Sequence, residues 1–129
     1  MAEFVEWAPF GIKPEVAEMS LLVAAELMQT QFLQGQKGYL QRDLMKSSCG
    51  QYVDLIRWSS ESAAHKALLQ AQSNPSCLRY FDLMVKATAM KTEMSHFQVI
   101  SRYPEQASGS EPLSLQALQN SDVGTDLAL

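Results

Sequence analysis

The chain has 129 residues, of which 47% are hydrophobic, and this is enough for one domain with a buried core. Its formal net charge is -4, and the segment 104–129 holds four of the 14 acidic residues and none of the 10 basic ones. The residues before this segment are therefore electrically balanced, which argues against a partner that is nucleic acid or an anionic membrane.

The two cysteines and the N-terminus bear on the cellular compartment. Neither Cys49 nor Cys77 belongs to a CxxC pair, so we expect both thiols to be reduced. The N-terminus lacks the basic start and apolar core of a signal peptide, and no apolar run is long enough to span a membrane. We therefore expect a cytoplasmic protein.

The first two predicted elements are a strand and a long helix. Residues 4–12 are rich in aromatic and β-branched types and predict a strand. Pro14 suits the first turn of the helix, which runs without Gly or Pro to Leu33 and ends before Gly35. Apolar residues recur in it at helical spacing. The predicted apolar stripe consists of Val16, Met19, Val23, Leu27 and Thr30.

A hairpin and a second helix follow. Residues 39–46 and 51–58 predict two strands, because a short polar turn containing Gly50 joins them. Ser59 or Ser60 is placed to cap a helix that has an Ala-rich face.

The last predicted elements are a short helix and a strand. Asn74 and Pro75 interrupt the second helix and start a new one, which reaches about Val85. Residues 92–101 predict the final strand. The residues that the short helix is predicted to bury are Leu78, Phe81 and Met84 or Val85.

This element order, β-α-β-β-α-β, predicts an α+β domain with the ferredoxin-like fold, in which two helices cover one face of a four-stranded antiparallel sheet. The strand 51–58 has apolar residues on both faces. Because the helices cover one face only, we expect a second copy of the chain to cover the other, giving a homodimer. Residues 1–103 form the predicted domain, and 104–129 an acidic, flexible tail.

Two stretches of sequence resemble the antibiotic biosynthesis monooxygenase family. They are KGYLQRDL at 37–44 and GQYVDLIRWSSESAA at 50–64, and the likeness extends over 4–101 to include His96 and Phe97 in the last strand. The resemblance implies a dimeric α/β barrel and a pocket between the sheet and the helices.

Members of that family differ in chemistry. By spacing, the Asn, Trp and His of the haem-degrading branch would fall near Trp7, Ala67 and Cys77, so all three are absent and haem degradation is disfavoured. The branch that oxidises polyketides resembles this chain in the Trp at the strand end, Trp58, but has Asn where this chain has Asp54. An ionised Asp accepts hydrogen bonds but does not donate them as an amide does.

Asp54 is a candidate catalytic residue, because it shares one strand face with Tyr52, Ile56 and Trp58. A carboxylate on an apolar face is a candidate general base. The alternatives are an ion pair with Arg42 or Arg57, or a position at the edge of the sheet.

His96 is the second candidate base, because imidazole titrates near neutral pH. Its alternative is a structural role, either hydrogen-bonded to neighbouring backbone or buried at the dimer contact. The predicted substrate contacts are aromatic: Trp58, which is otherwise a core residue, and Tyr52, Trp7 and Tyr39.

Several chemistries lack their sequence patterns. There is no GxGxxG or Walker loop, no metal-ligand spacing and no GxSxG motif, so we expect neither a cofactor nor a metal. Two functions remain open. The first is a cofactor-independent monooxygenase acting on a small aromatic, phenolic or quinol-type substrate. The second is a module of the same fold that binds a small apolar or aromatic ligand, or a partner, without turnover.

Overall fold

The computed structural model describes residues 3–85 and 94–104. The elements in chain order are β1 (Phe4–Phe10), α1 (Glu18–Gln31), a 3-10 helix (Leu33–Gly35), β2 (Tyr39–Lys46), β3 (Tyr52–Trp58), α2 (Glu61–Ala71), α3 (Pro75–Asp82) and β4 (Ser95–Gln98). The strands form one antiparallel sheet in the order β2-β3-β1-β4, which is the arrangement of the ferredoxin-like fold. The predicted α+β class and fold are confirmed.

Some predicted features fall outside the described ranges. Beyond Pro104, the predicted C-terminal tail lies outside them, as do residues 92 and 93 of the predicted last strand. The described part of that strand, β4, pairs with β1. No helix in the described ranges is both long and apolar enough to cross a membrane.

Helix α1 begins later than predicted and buries a different face. The backbone N–H of Val16 donates to the carbonyl of Lys13 at 2.9 Å, so Pro14 lies in a turn rather than in the helix. The predicted apolar stripe is wrong, because Met19 and Val23 are 68% and 54% exposed. The buried face includes small residues, which let the helix lie close to its neighbours. The sequence pattern instead follows the large apolar side chains, which lie on another face. The buried residues of α1 are Leu21, Ala24, Ala25 and Met28.

Helix α2 begins at the predicted cap, and α3 begins at Pro75, where the sequence predicts a new helix. The side chain of Ser60 accepts from the backbone N–H of Ala63 at 3.1 Å, and that of Asn74 accepts from the N–H of Cys77 at 3.2 Å. The predicted buried face of α3 is wrong, because Leu78 and Phe81 are 48% and 41% exposed. The residues that α3 buries are Ser76, Cys77 and Tyr80. The Asn74 cap fixes where α3 begins, and this determines which of its side chains face the core.

Strand β3 separates the core from the uncovered side of the sheet. Its alternate residues Tyr52, Asp54, Ile56 and Trp58 are all buried beneath the helices, as the spacing predicted. The register with β1 and β2 places the intervening residues on the opposite side, which no element in the described ranges covers. We call this side the outer sheet face. Its apolar residues are Val5, Trp7, Met45, Val53, Leu55 and Phe97.

Candidate active site

A cavity of about 420 Å³ lies between the inner face of the sheet and the helices. Such a volume is in the range of small-molecule sites. Most of its wall is aromatic or aliphatic, with Ile56 and Trp58 on the sheet side and Ala67 and Ala71 on α2. The titratable side chains in the wall are those of Glu6, Asp54, Cys77 and Tyr80.

Asp54 is held in a buried hydrogen-bonded network. Arg42, which lies opposite Ile56 on β2, donates from Nε to Oδ1 of Asp54 at 2.9 Å, and both side chains are only 6% exposed. The Tyr80 hydroxyl donates to Oδ2 of Asp54 at 2.5 Å. Arg42 also donates to the carbonyl of Ala25 at 3.0 Å, and its guanidinium lies 5.1 Å from the centre of the Tyr80 ring. Asp54 therefore forms the ion pair with Arg42 that the sequence allows as the alternative to a catalytic role.

This network fixes the protonation state of Tyr80. Burial raises the pKa of its hydroxyl, and the neighbouring Asp54 carboxylate raises it further. The hydroxyl therefore stays protonated at neutral pH and donates to Asp54, while its oxygen can still accept a hydrogen bond from a ligand. The sequence offers Tyr80 only as one of three tyrosines with a phenol for a polar substrate and does not single it out, although the spacing of Cys77, Tyr80 and Met84 is that of one helix face.

A second carboxylate, Glu6, stands in the wall with Trp58. Glu6 pairs with Ile56 across the strands, which turns its side chain to the cavity. The indole N–H of Trp58, a residue only 2% exposed, donates to Oε1 of Glu6 at 3.2 Å. Burial raises the pKa of Glu6, the Trp58 hydrogen bond lowers it, and the charge of Asp54 raises it. Sequence reasoning missed Glu6.

The predicted substrate contacts other than Trp58 lie away from the cavity wall. Tyr52 is buried, but its hydroxyl donates to Glu18 at 2.6 Å at the far end of the strand. Tyr39 accepts from the Gln29 amide at 3.0 Å and sets the edge of its ring against Trp58, with 6.0 Å between ring centres. Tyr39 therefore supports the Trp58 indole. Trp7 lies on the outer sheet face and is 38% exposed.

His96 is not brought together with Asp54 and Trp58. It lies on β4 opposite Glu6 in the register, and its exposed ring stacks on Phe4 with 5.2 Å between ring centres. The side chain is not part of the cavity wall. The structure thus brings together two of the predicted site residues, Asp54 and Trp58, and adds Glu6 and Tyr80 to them.

Cys77 presents a buried thiol to the cavity. It is 0% exposed, and burial raises its pKa to about 11. At neutral pH it is therefore an apolar part of the wall rather than a nucleophile. Over residues 3–85 and 94–104, no three His, Cys, Asp or Glu side chains are grouped as metal ligands would be.

Comparisons with known proteins bear on the fold. No protein-family model matches the sequence, and no curated protein matches it. SnoaB from Streptomyces nogalater, a cofactor-independent oxygenase, superposes with a TM-score of 0.64 at 19% identity, over 81% of this chain and 100% of that one. A proposed antibiotic biosynthesis monooxygenase from Bordetella bronchiseptica gives 0.64 at 12% identity, over 78% and 100% of the two chains.

A third solved structure extends the same likeness. It is a proposed antibiotic biosynthesis monooxygenase from Nitrosomonas europaea, with a TM-score of 0.55 at 14% identity over 81% of this chain and 94% of that one. Identities this low speak to the fold and leave the substrate open. The resemblance seen in the sequence is confirmed at that level: this chain has the ferredoxin-like fold of the solved antibiotic biosynthesis monooxygenases.

Proposed function

We propose that this chain is a cofactor-independent monooxygenase that oxidises a small hydroxylated aromatic compound of the quinol or phenol type. The observation that carries the proposal is a largely apolar cavity of about 420 Å³ with two carboxylates, a protonated tyrosine hydroxyl and an indole in its wall. Aromatic and aliphatic side chains suit a flat ring, and the few polar groups orient it. The fold that the chain shares with a cofactor-independent oxygenase supports the same reaction class.

A quinol can supply every electron that this reaction needs. A base removes the proton of a ring hydroxyl, and the electron-rich anion then reduces dioxygen directly. One oxygen atom becomes a new hydroxyl on the ring, the other leaves as water, and the quinol becomes a hydroxyquinone. For 1,4-dihydroxynaphthalene, quinol plus dioxygen gives 2-hydroxy-1,4-naphthoquinone plus water, so atoms and electrons balance without another reductant.

The wall residues have distinct roles in this proposal. Trp58 and the aliphatic side chains exclude water from the reactive anion. Asp54 and Arg42 hold the Tyr80 hydroxyl in place, so that its oxygen can accept a hydrogen bond from a substrate hydroxyl. Of the two bases predicted from the sequence, Asp54 lines the cavity and His96 does not. Both oxygens of Asp54 already accept hydrogen bonds, which makes it a positioning group.

Oxygen uptake tests this function. We expect the metal-free protein, assayed with 1,4-dihydroxynaphthalene under ¹⁸O₂, to consume dioxygen faster than buffer does and to place one labelled atom in the hydroxyquinone. The matched control is Ala67→Phe, which fills the cavity from α2 and should bring uptake down to the rate in buffer. Circular dichroism checks that this variant is folded. Uptake by the unmodified protein at the rate of buffer alone would contradict the proposal.

A binding module without turnover is the second candidate, and one observation favours it. Asp54 is neutralised by Arg42 inside a closed network, as a purely structural carboxylate would be. This alternative predicts that 1,4-dihydroxynaphthalene binds in the cavity and that the protein slows, rather than accelerates, its oxidation by air.

We further propose that two copies of the chain pair through the outer sheet face. This face exposes Trp7, Met45 and Phe97 by 38%, 37% and 53%, respectively. Apolar residues on all four strands form a surface that a symmetric partner can cover.

Light scattering at micromolar concentration tests this pairing. We expect twice the chain mass of 14.4 kDa. Leu55→Glu, in the middle of the outer sheet face, should give a single chain, because it places charges on both sides of the contact. Leu69→Glu, at an exposed position on α2, should leave the mass unchanged. A lone chain for the unmodified protein would overturn the proposal.

A further inference from the structure

The two carboxylates in the cavity wall differ in their partners. Asp54 has an ion pair with Arg42 and a hydrogen bond from Tyr80. Glu6 accepts one hydrogen bond, from the neutral indole N–H of Trp58. Within residues 3–85 and 94–104, no Lys or Arg forms an ion pair with Glu6. Among the described residues, Glu6 is thus the wall carboxylate whose charge has no cation beside it.

Glu6 is also positioned by its neighbours. The Trp58 N–H donates a hydrogen bond to Oε1 of Glu6, and no described residue donates one to Oε2. Trp58 is itself held, because it is buried at the end of β3 and the Tyr39 ring contacts it edge-on. The carboxylate therefore has one oxygen fixed and one oxygen left for a ligand, on the side of the strand that faces the cavity.

We propose that Glu6 is the general base of this site and takes the proton of a substrate hydroxyl on Oε2. The O–H bond of the substrate breaks, a new O–H bond forms on Glu6, and the electron pair stays on the substrate oxygen. The inference rests on the proposed function, because the anion formed here is the species that reduces dioxygen.

The surroundings of Glu6 favour this role over Asp54. Burial is the main cause of the raised pKa of Glu6, and a carboxylate with a raised pKa is a stronger base. The other titratable groups near it are Asp54 on β3, Cys77 and Tyr80 on α3, and His96 on β4. Cys77 and Tyr80 have raised pKa values and stay neutral at neutral pH, and Asp54 is paired with Arg42, so His96 is the neighbour that the test must control for.

The test compares the pH dependence of turnover of 1,4-dihydroxynaphthalene in the unmodified protein and in Glu6→Gln. Glutamine keeps the shape and an acceptor for Trp58 but does not take up a proton. We expect kcat to fall by about 10²- to 10⁴-fold in Glu6→Gln, with a much smaller change in KM. In the unmodified protein kcat/KM should fall as the pH drops below the pKa of Glu6, and this acidic limb should be absent from the residual activity of Glu6→Gln.

Two controls isolate Glu6. Glu26→Gln, at an exposed position on α1, should leave kcat unchanged. His96→Gln should keep the acidic limb at the same pH, which shows that the limb does not arise from this neighbour on β4. Turnover in Glu6→Gln at the rate and pH dependence of the unmodified protein would overturn the assignment of Glu6 and leave the oxygenase function standing.

Calorimetry with 1-naphthol decides the case in which the unmodified protein shows no oxygen uptake. That outcome overturns the oxygenase function. The placement of Glu6 as the hydrogen-bond acceptor for the ligand hydroxyl then holds if 1-naphthol binds more weakly below the pKa of Glu6 and if Glu6→Gln removes this pH dependence. Binding that is equal at every pH, or no binding at all, overturns it.

Discussion

Replacing Arg42 with Met should lower the free energy of unfolding by about 3 to 5 kcal/mol, the largest single effect that we expect. The Arg42 and Asp54 side chains are each 6% exposed, so the substitution leaves a carboxylate inside the core without its cation. It also removes the hydrogen bond from Arg42 to the carbonyl of Ala25. Urea denaturation at pH 7 measures the change.

Two further variants separate the buried charge from the loss of side-chain volume. Arg42→Met combined with Asp54→Asn removes both charges and keeps an acceptor for Tyr80, so the double variant should be more stable than Arg42→Met alone. Arg102→Met breaks the Arg102–Glu3 pair, in which Arg102 is 50% exposed, and should change the free energy of unfolding far less than Arg42→Met does. A double variant less stable than Arg42→Met would contradict this account of the network.

Gly38→Ala should lower the free energy of unfolding by about 2 to 5 kcal/mol, from backbone strain and steric overlap together. Gly38 has φ +89°, and a Cβ at this position would lie 2.5 Å from Cβ of Ala63 and 2.8 Å from Oγ of Ser59. The carbonyl of Gly38 accepts from the N–H of Ser59 at 2.8 Å, so the start of β2 is held against the start of α2. The overlap forces these two elements apart.

Gly50→Ala is the matched control for Gly38→Ala. Gly50, in the β2–β3 turn, has the same φ of +89°, but a Cβ added there would have no described atom within 4 Å. The substitution should therefore cost only the strain of the left-handed backbone, about 1 to 2 kcal/mol. Thermal or urea denaturation of both variants measures the difference. Equal losses in the two variants would mean that contact with Ala63 contributes nothing.

Much of the fold could be predicted from the sequence because its signals are local. The sequence predicts two strands around a Gly turn, a cap at Ser59 or Ser60 and a new helix at Asn74 and Pro75, and the structure has the β2–β3 hairpin, the Ser60 cap and α3 from Pro75. The buried faces of α1 and α3 could not be predicted in the same way. Large residues such as Met19 and Phe81 dominate a periodicity count, but the sheet contacts the smaller or polar-tipped residues on the other face.

Part of the candidate site could also be predicted, because the signal for it is local. Alternation along β3 placed Asp54 and Trp58 on one face without knowledge of the partner strands. Glu6 could not be assigned to that face until the register of β1 against β3 was known, since its neighbour Trp7 is the more conspicuous residue and points the other way. Whether Tyr80 faces the cavity depends on the phase of α3, which the Asn74 cap determines.

The proposed function requires that the cavity beside Trp58 bind a hydroxylated aromatic ring. The protein has two tryptophans, Trp58 in the cavity wall and Trp7 on the outer sheet face, so their indole N–H signals report on the two sides of the sheet in one NMR spectrum. Trp7→Phe assigns the pair. We predict that 1-naphthol shifts the Trp58 signal and leaves that of Trp7 in place; an unchanged Trp58 signal at saturating 1-naphthol, or a shift of Trp7 alone, would contradict the account.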